Sequence, residues 1–285
     1  MRRGSPFLTV YSWLVYAFLY LPILVLALFS FNTSKFGAVW TGFTTRWYGV
    51  LFARDDVREA VLHTLTVALV STLISTVLGT LLGLGLWRYA FRGRTALTFL
   101  LVTPIVIPDV VMGISLLMFY ALVRQLIPLQ GGLLTVLLAH VTFQVSYVAL
   151  VVRSRLAGYG PELEEAARDL GANGVRAFLH VTLPLALPGV LSGALLAFTL
   201  SLDDFVVTYF TSGSGFHTLP VLIYTAVKRG VTPDINALSS LLIGFTVLLI
   251  VAANALSQSG RGRSVRRVAD AEPSVPSPAA AQDRQ

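Results

Sequence analysis

Apolar residues along this chain arrive in long blocks separated by short, arginine-bearing polar stretches. Six blocks are long enough to cross a bilayer as helices, at about residues 10–31, 63–87, 97–121, 133–152, 185–205 and 238–256. A helical crossing needs roughly 20 predominantly apolar residues. Helix is the expected state in each, because a spanning segment must satisfy every backbone N–H and C=O without water. The alternating segments of a membrane β-barrel are absent from the pattern. The sequence therefore predicts an all-α membrane protein with six transmembrane helices.

The intervening segments divide by character. Residues 32–62 read as an external loop carrying Trp40, Trp47 and Tyr48, aromatics suited to a membrane interface. Residues 210–236 read as a second external segment, in which 218–227 is apolar but too short to cross and is re-entrant or interfacial. Residues 1–9 form the N-terminus, 10–258 one membrane domain, and 259–285 a basic, proline-rich tail expected to be disordered near anionic headgroups.

Composition agrees with this division. Hydrophobic residues make up 55% and charged residues 12%, with a mean hydropathy of +0.75, which excludes an ordinary soluble domain. Cysteine is absent, so disulfides and Cys-metal sites are excluded. Met1-Arg2-Arg3 resembles the start of a signal peptide, but the apolar run that follows is too long and lacks a small-residue cleavage site. It reads as the first, uncleaved span.

The net charge of +7 is informative by location. Fourteen of the 21 basic residues fall on one side: Arg2, Arg3, Arg88, Arg92, Arg94, Arg153, Arg155, Arg168, Arg176, Arg261, Arg263, Arg266, Arg267 and Arg284. Arginine-rich loops stay in the cytoplasm, which places both termini and the segment 152–185 there. The charge is spread over four loops and not gathered on one folded surface, which argues against a nucleic-acid partner.

That segment contains EAARDLGANGVRAFLHVTLP, residues 165–184, a polar insert between two spans. Pro161 suits a first helical position, and Glu162, Glu164 and Glu165 place negative charge at the positive end of the helix dipole. Ala166 and Ala167 keep one face small, and Gly171 ends the helix where a left-handed residue is easiest. A second short helix at about 175–180 then leads through Leu183 and Pro184 back into the bilayer. The insert reads as a docking element, with no catalytic constellation in it.

Glu165-Ala166-Ala167, Gly171 and Val181-Thr182-Leu183-Pro184, at this spacing, resemble the cytoplasmic EAA loop of ABC-importer permeases. The one departure is Val181, where that family more often carries isoleucine, a small change in volume. The resemblance implies a type I ABC-importer permease fold in a bacterial inner membrane, with the loop at 161–184 docking on a separate ATPase subunit. No GxxxxGK[ST] occurs and the chain has only two lysines, Lys35 and Lys228, so ATP and magnesium belong to the partner and no cofactor is expected here.

Ionisable groups inside spans mark the candidate pathway. Asp109 lies about twelve residues into the third block, between Pro108 and a run of valines, near the middle of the bilayer at 1.5 Å per residue. It is either an anionic element of a substrate pathway or a cap for backbone freed by Pro108. Asp203 and Asp204 sit late in the fifth block and point about 100° apart on a helix, so one at most faces a central path. Asp203 is narrowly preferred, leaving Asp204 to cap or to pair with a basic loop residue. Tyr120, Tyr209 and Tyr224 are candidates for cation–π contact with an ammonium group, or members of an interfacial belt.

His63, His140, His180 and His217 stand in no metal-ligand spacing, and no metal is expected. Small residues recur every four positions at Ser71, Ser75, Gly79 and Gly83, beside Thr64, Ala68, Thr72, Thr76 and Thr80, and again at Gly189, Gly193 and Ala197. Such stripes are helix-packing surfaces, within this chain or across a subunit boundary.

The stretches 104–117, 201–213 and 218–242 further resemble the second membrane subunit of spermidine/putrescine importers. That resemblance implies an ATPase pair, a second permease, an extracytoplasmic solute-binding protein and a polyamine cargo. Related permeases handle opines or amino-phosphonates, which stay as alternative cargoes. A stand-alone ion-coupled transporter would show internal repeats, and none is found. A membrane enzyme would need a paired nucleophile and base, which is likewise missing, so the chain reads as a transport subunit and not as an enzyme.

Overall fold

The computed structural model describes residues 6–35, 39–160 and 162–248, and every element below lies among them. In chain order these are α1 (Pro6–Phe29), α2 (Arg46–Phe52), α3 (Asp55–Arg88), α4 (Arg94–Val106), α5 (Asp109–Val123), α6 (Leu133–Leu156), α7 (Glu162–Asp169) and α8 (Gly174–Ala177). A π-helical turn, Phe178–Thr182, then leads into α9 (Leu183–Asp203), followed by α10 (Val206–Thr211), α11 (Leu219–Arg229) and α12 (Pro233–Leu248). An isolated bridge between Asn32 and Phe43 is the only β pairing among the described residues. The all-helical expectation stands.

Two units are distinguished, Met1–Tyr48 with Thr232–Gln285, and Gly49–Val231. In the first, α1 carries its large apolar side chains outward, with Phe18 80% exposed, as suits a helix solvated by lipid or by another subunit. The loop after it is organised by Asn32. This buried amide donates to the Val39 carbonyl at 2.7 Å and accepts from the Thr41 amide at 2.9 Å, while the Trp47 indole donates to its carbonyl at 2.7 Å.

In the second unit α3, α6 and α9 form the core. Asp55 and Asp56 open α3 and Arg88 closes it, both signs aligned with the helix dipole. Its small-residue stripe packs within the chain, onto α6. A Cβ on Gly79 would stand 2.6 Å from Val148 Cβ, and one on Gly83 would stand 2.7 Å from the Ala149 carbonyl. Gly193 of α9 approaches the other side of Val148, and Gly189 approaches Arg155. Close approach of backbones through small residues is how helices associate where apolar burial supplies no drive. The seam also holds a buried polar knot, in which Gln144 accepts from Ser75 at 2.9 Å and donates to Ser71 at 3.0 Å and to the Ala197 carbonyl at 3.2 Å.

The third apolar block departs from expectation. It is not one helix but two, α4 and α5, meeting at 111°. Pro108 has no N–H to donate and drives Ile107 into an extended conformation (φ −68°, ψ 133°), which ends α4. Four helices are long and apolar enough to span alone, and the bent pair makes five if it counts as one crossing. Of the block expected as a sixth span, 238–256, residues up to Leu248 lie on α12 and the remainder falls outside the described residues. Residues 1–5, Pro161 and the tail after 248 also lie outside them, so the expectations placed there have no structural counterpart.

Candidate functional site

Two helix breaks face one another in the second unit. The first is the α4–α5 corner, where Asp109 occupies the first position of α5 and the amides of Val111 and Met112 bond back to the Pro108 carbonyl. The second separates α9 from α10, where Asp204 leaves the helix with extended backbone (φ −63°, ψ 119°). Between them lies a cavity of ≈ 270 Å³ bordered by Asp109, Asp203 and Asp204, with Phe143 and Tyr147 of α6 and Phe205 as aromatic walls. No lysine or arginine is among its lining residues. The cavity is therefore acidic and aromatic, a combination suited to an ammonium group.

The two adjacent aspartates do different work. Asp203 is exposed and keeps its carboxylate toward the cavity rim. Asp204 has both oxygens committed: Oδ2 accepts from the Thr208 amide at 2.8 Å and the Thr208 hydroxyl at 2.7 Å, and Oδ1 accepts from the Val207 amide at 3.3 Å. It thereby caps α10. His140 Nε2 lies 3.3 Å from Oδ2, with the histidine fully buried. Of the two expectations for the second aspartate, a cap or a pairing with a basic loop residue, the structure shows the cap, and the ring beside it is a histidine of α6 and not a loop cation. His140 also bonds Ser201 at 2.7 Å through Nδ1 and Thr208 at 2.9 Å through Nε2. Through these contacts α6 holds the end of α9 and the start of α10 in one arrangement.

The tyrosines separate as well. Tyr209 and Tyr224 form an exposed cluster with Phe205, ring centroids 4.2–6.0 Å apart. The Lys228 ammonium lies 4.6 Å above the Tyr224 ring, so this face already engages a cation. Its contact with the Tyr224 hydroxyl raises the lysine above its ordinary pKa. Tyr120 lies elsewhere: it is 3% exposed, donates its hydroxyl to the Thr135 carbonyl at 3.0 Å and does not line the cavity. Its apolar surroundings and satisfied hydroxyl make it a packing residue between α5 and α6.

The insert at 162–184 forms a second, separate feature. α7 ends in a Schellman arrangement, with Ala172 N bonding Ala167 O at 3.0 Å, Gly171 N bonding Arg168 O at 2.8 Å, and Gly171 at φ +86°. Asn173 then caps α8, its side chain accepting from Arg176 N at 2.9 Å. The expected second helix is shorter than foreseen and turns π-helical at Phe178 before α9. Glu165 and Ala166 are exposed, as are Leu170 at 90% and Val175 at 68%. Val181 and Leu183 are half-buried at the root of α9, and Pro184 is exposed beside them.

Sequence reasoning missed His140 and Glu164. An ionisable residue within an apolar span is a signal in itself, and His140 was weighed only as a metal ligand. Glu164 was read as a dipole partner, whereas it is buried and paired with Arg88 at 2.6 Å.

Residues 75–259, more than half of the chain, match the family of binding-protein-dependent transport system inner membrane components. The putrescine transport system permease protein PotI of Escherichia coli (strain K12) is 45% identical over 243 residues, covering 84% of this chain and 86% of the relative. The spermidine/putrescine transport system permease protein PotC of Haemophilus influenzae is 41% identical over 248 residues, covering 87% and 95%. Among solved structures, a chain of a bacterial ABC transporter involved in the import of the acidic polysaccharide alginate matches with a TM-score of 0.66 at 18% identity, covering 90% of this chain and 94% of that one. At that identity the likeness concerns the fold.

Proposed function

Because this chain belongs to the family of binding-protein-dependent transport system inner membrane components, we propose that it is the permease subunit of an ATP-driven importer of polyamines. The observation that carries the cargo is the cavity in which Asp109 and Asp203 stand at opposing helix breaks with no fixed cation among the lining residues. A polyamine presents ammonium groups along a flexible apolar stem, matching carboxylates set among Phe143, Tyr147 and Phe205. The stations are weak by design, since a fully enclosing site would retain the cargo.

In this reading six helices cross the inner membrane with both termini in the cytoplasm. α4 and α5 together make the third crossing, and α12 begins the sixth. The insert at 161–184 docks on an ATPase pair through Glu165, Ala166, Ala167 and the exposed apolar residues around Gly171. A second permease completes the path, and a solute-binding protein delivers cargo from the other side. Asp109 and Asp203 meet the cargo, with Tyr209 offering a π face at its approach, while Asp204 holds the break and the Tyr224 face stays with Lys228.

The test is uptake of radiolabelled putrescine and spermidine by the complete complex in liposomes, against a panel of amino-phosphonate and opine competitors. A hydrogen bond to a charged group is worth about 1.5–3 kcal/mol, so Asp203→Asn and Asp109→Asn should each lower uptake about 10- to 100-fold. Wild-type uptake by both variants, assembled normally, refutes the stations. Competition by phosphonates and not by polyamines replaces the cargo.

A further inference from the structure

Glu164 stands one position before the exposed Glu165 and is built into the molecule quite differently. It is 8% exposed, and three segments converge on its carboxylate. Arg88, the last residue of α3, places Nη2 2.6 Å from Oε2 and donates from Nη1 to Oε1 at 3.2 Å. Thr182, the last residue of the π-helical turn before α9, donates its hydroxyl to Oε1. Arg168, one turn along α7, stands 3.8 Å away. The surroundings stiffen the joint. Trp87 donates its indole N–H to the Tyr159 carbonyl at 3.2 Å, and Arg155 donates to the Leu185 carbonyl at 3.3 Å.

The placement matters because α3 and α9 both leave from this joint toward the cavity end. α9 has 21 residues and so spans about 32 Å, ending at Asp203 and the break that His140 and Asp204 hold. A docking helix on an unanchored loop would absorb a push by local bending. A helix pinned by a charge-assisted, two-segment contact moves with the helices it is pinned to. Paired and hydrogen-bonded charges of low exposure are also costly to separate, so the joint resists opening under load.

We propose that Glu164 is a positioning residue for energy coupling: with Arg88 and Thr182 it fastens the docking helix α7 to α3 and α9 together, so that movement of the ATPase turns both as one body. This rests on the docking role given to the insert above. Glu165 and the exposed apolar residues hold the partner; Glu164 transmits what the partner does.

The experiment uses the complete complex in liposomes and reads three quantities: ATPase co-purified per permease, ATP hydrolysed, and putrescine imported per ATP. Glu164→Gln keeps volume and the Thr182 contact but removes the charge. Arg88→Ala tests the same joint from α3, should the first variant fail to insert. Both should retain the ATPase and hydrolyse ATP while putrescine imported per ATP falls about tenfold, an ordinary coupling magnitude. Arg88→Lys, which preserves the charge but not the two-point contact, should recover part of it. Unchanged import per ATP with the ATPase retained overturns the joint and leaves docking intact. Loss of the ATPase from Glu164→Gln and Arg88→Ala also overturns it, since the residues would then belong to the docking face. The docking reading fails separately if Glu165→Arg combined with Gly171→Val retains wild-type ATP-driven uptake.

Discussion

Gly79→Ala should loosen the α3–α6 seam although alanine is the better helix former. A Cβ there would stand 2.6 Å from Val148 Cβ, 2.8 Å from Val148 Cγ1 and 2.9 Å from the Val145 carbonyl oxygen. Carbon atoms settle at about 3.5–4.0 Å, so the two helices must part by about 1 Å. Such a gap forfeits about a quarter to a half of the attraction of each contact it opens, and overpacking of this kind costs about 1–3 kcal/mol. Helix propensity returns at most about 1 kcal/mol. The net loss of about 0–2 kcal/mol should lower the melting temperature of the detergent-solubilised protein by up to about 8 °C. The control lies on the same helix: a Cβ on Gly85 would meet nothing within 4 Å, so Gly85→Ala should be neutral or slightly stabilising. Thermal unfolding followed by tryptophan fluorescence compares the two. Equal melting of both variants, at or above the wild-type temperature, refutes the argument that the small-residue stripe is a close-packing seam within the chain.

Three further outcomes follow from the site. His140→Ala removes contacts to Ser201 and Thr208 and leaves the Asp204 carboxylate without its ring partner, so stability should fall by about 2–4 kcal/mol, measured by the same melt. Tyr120→Phe loses one hydrogen bond, to the Thr135 carbonyl; it should cost about 0.5–1.5 kcal/mol and leave the apparent uptake KM for putrescine unchanged. At Gly171, φ +86° makes a β-branched side chain cost about 1–2 kcal/mol confined to the loop. Gly171→Val should therefore impair ATP-driven uptake with normal membrane insertion, whereas Gly171→Asn, which tolerates that conformation, should retain most uptake.

The long apolar blocks and the spacing around Gly171 were legible because each rests on local physics. A span must be helical to satisfy its own backbone, and a helix that stops in the left-handed region favours glycine. The α4–α5 corner was half legible: Pro108 marked a weak point, but the size of the bend depends on what the two arms pack against. The aspartates were legible as costly charges in apolar runs. Their roles were not, because both Asp203 and Asp204 border the cavity and only Asp204 is engaged by Thr208 and by His140, some 60 residues earlier on α6.

By itself, the sequence determined that this chain is helical and membrane-embedded, that a polar loop turning at Gly171 interrupts its spans, and that carboxylates lie where bare charge is expensive. Only the tertiary structure decided how those parts are joined. It set the small residues of α3 and α9 against α6, placed Asp109 and Asp203 on one cavity, gave Asp204 to His140, and buried Glu164 between Arg88 and Thr182. The division has one physical origin. Hydropathy, backbone satisfaction and turn conformation act between near neighbours in the chain, whereas close packing and the pairing of buried charge act between helices that the chain brings together only by folding.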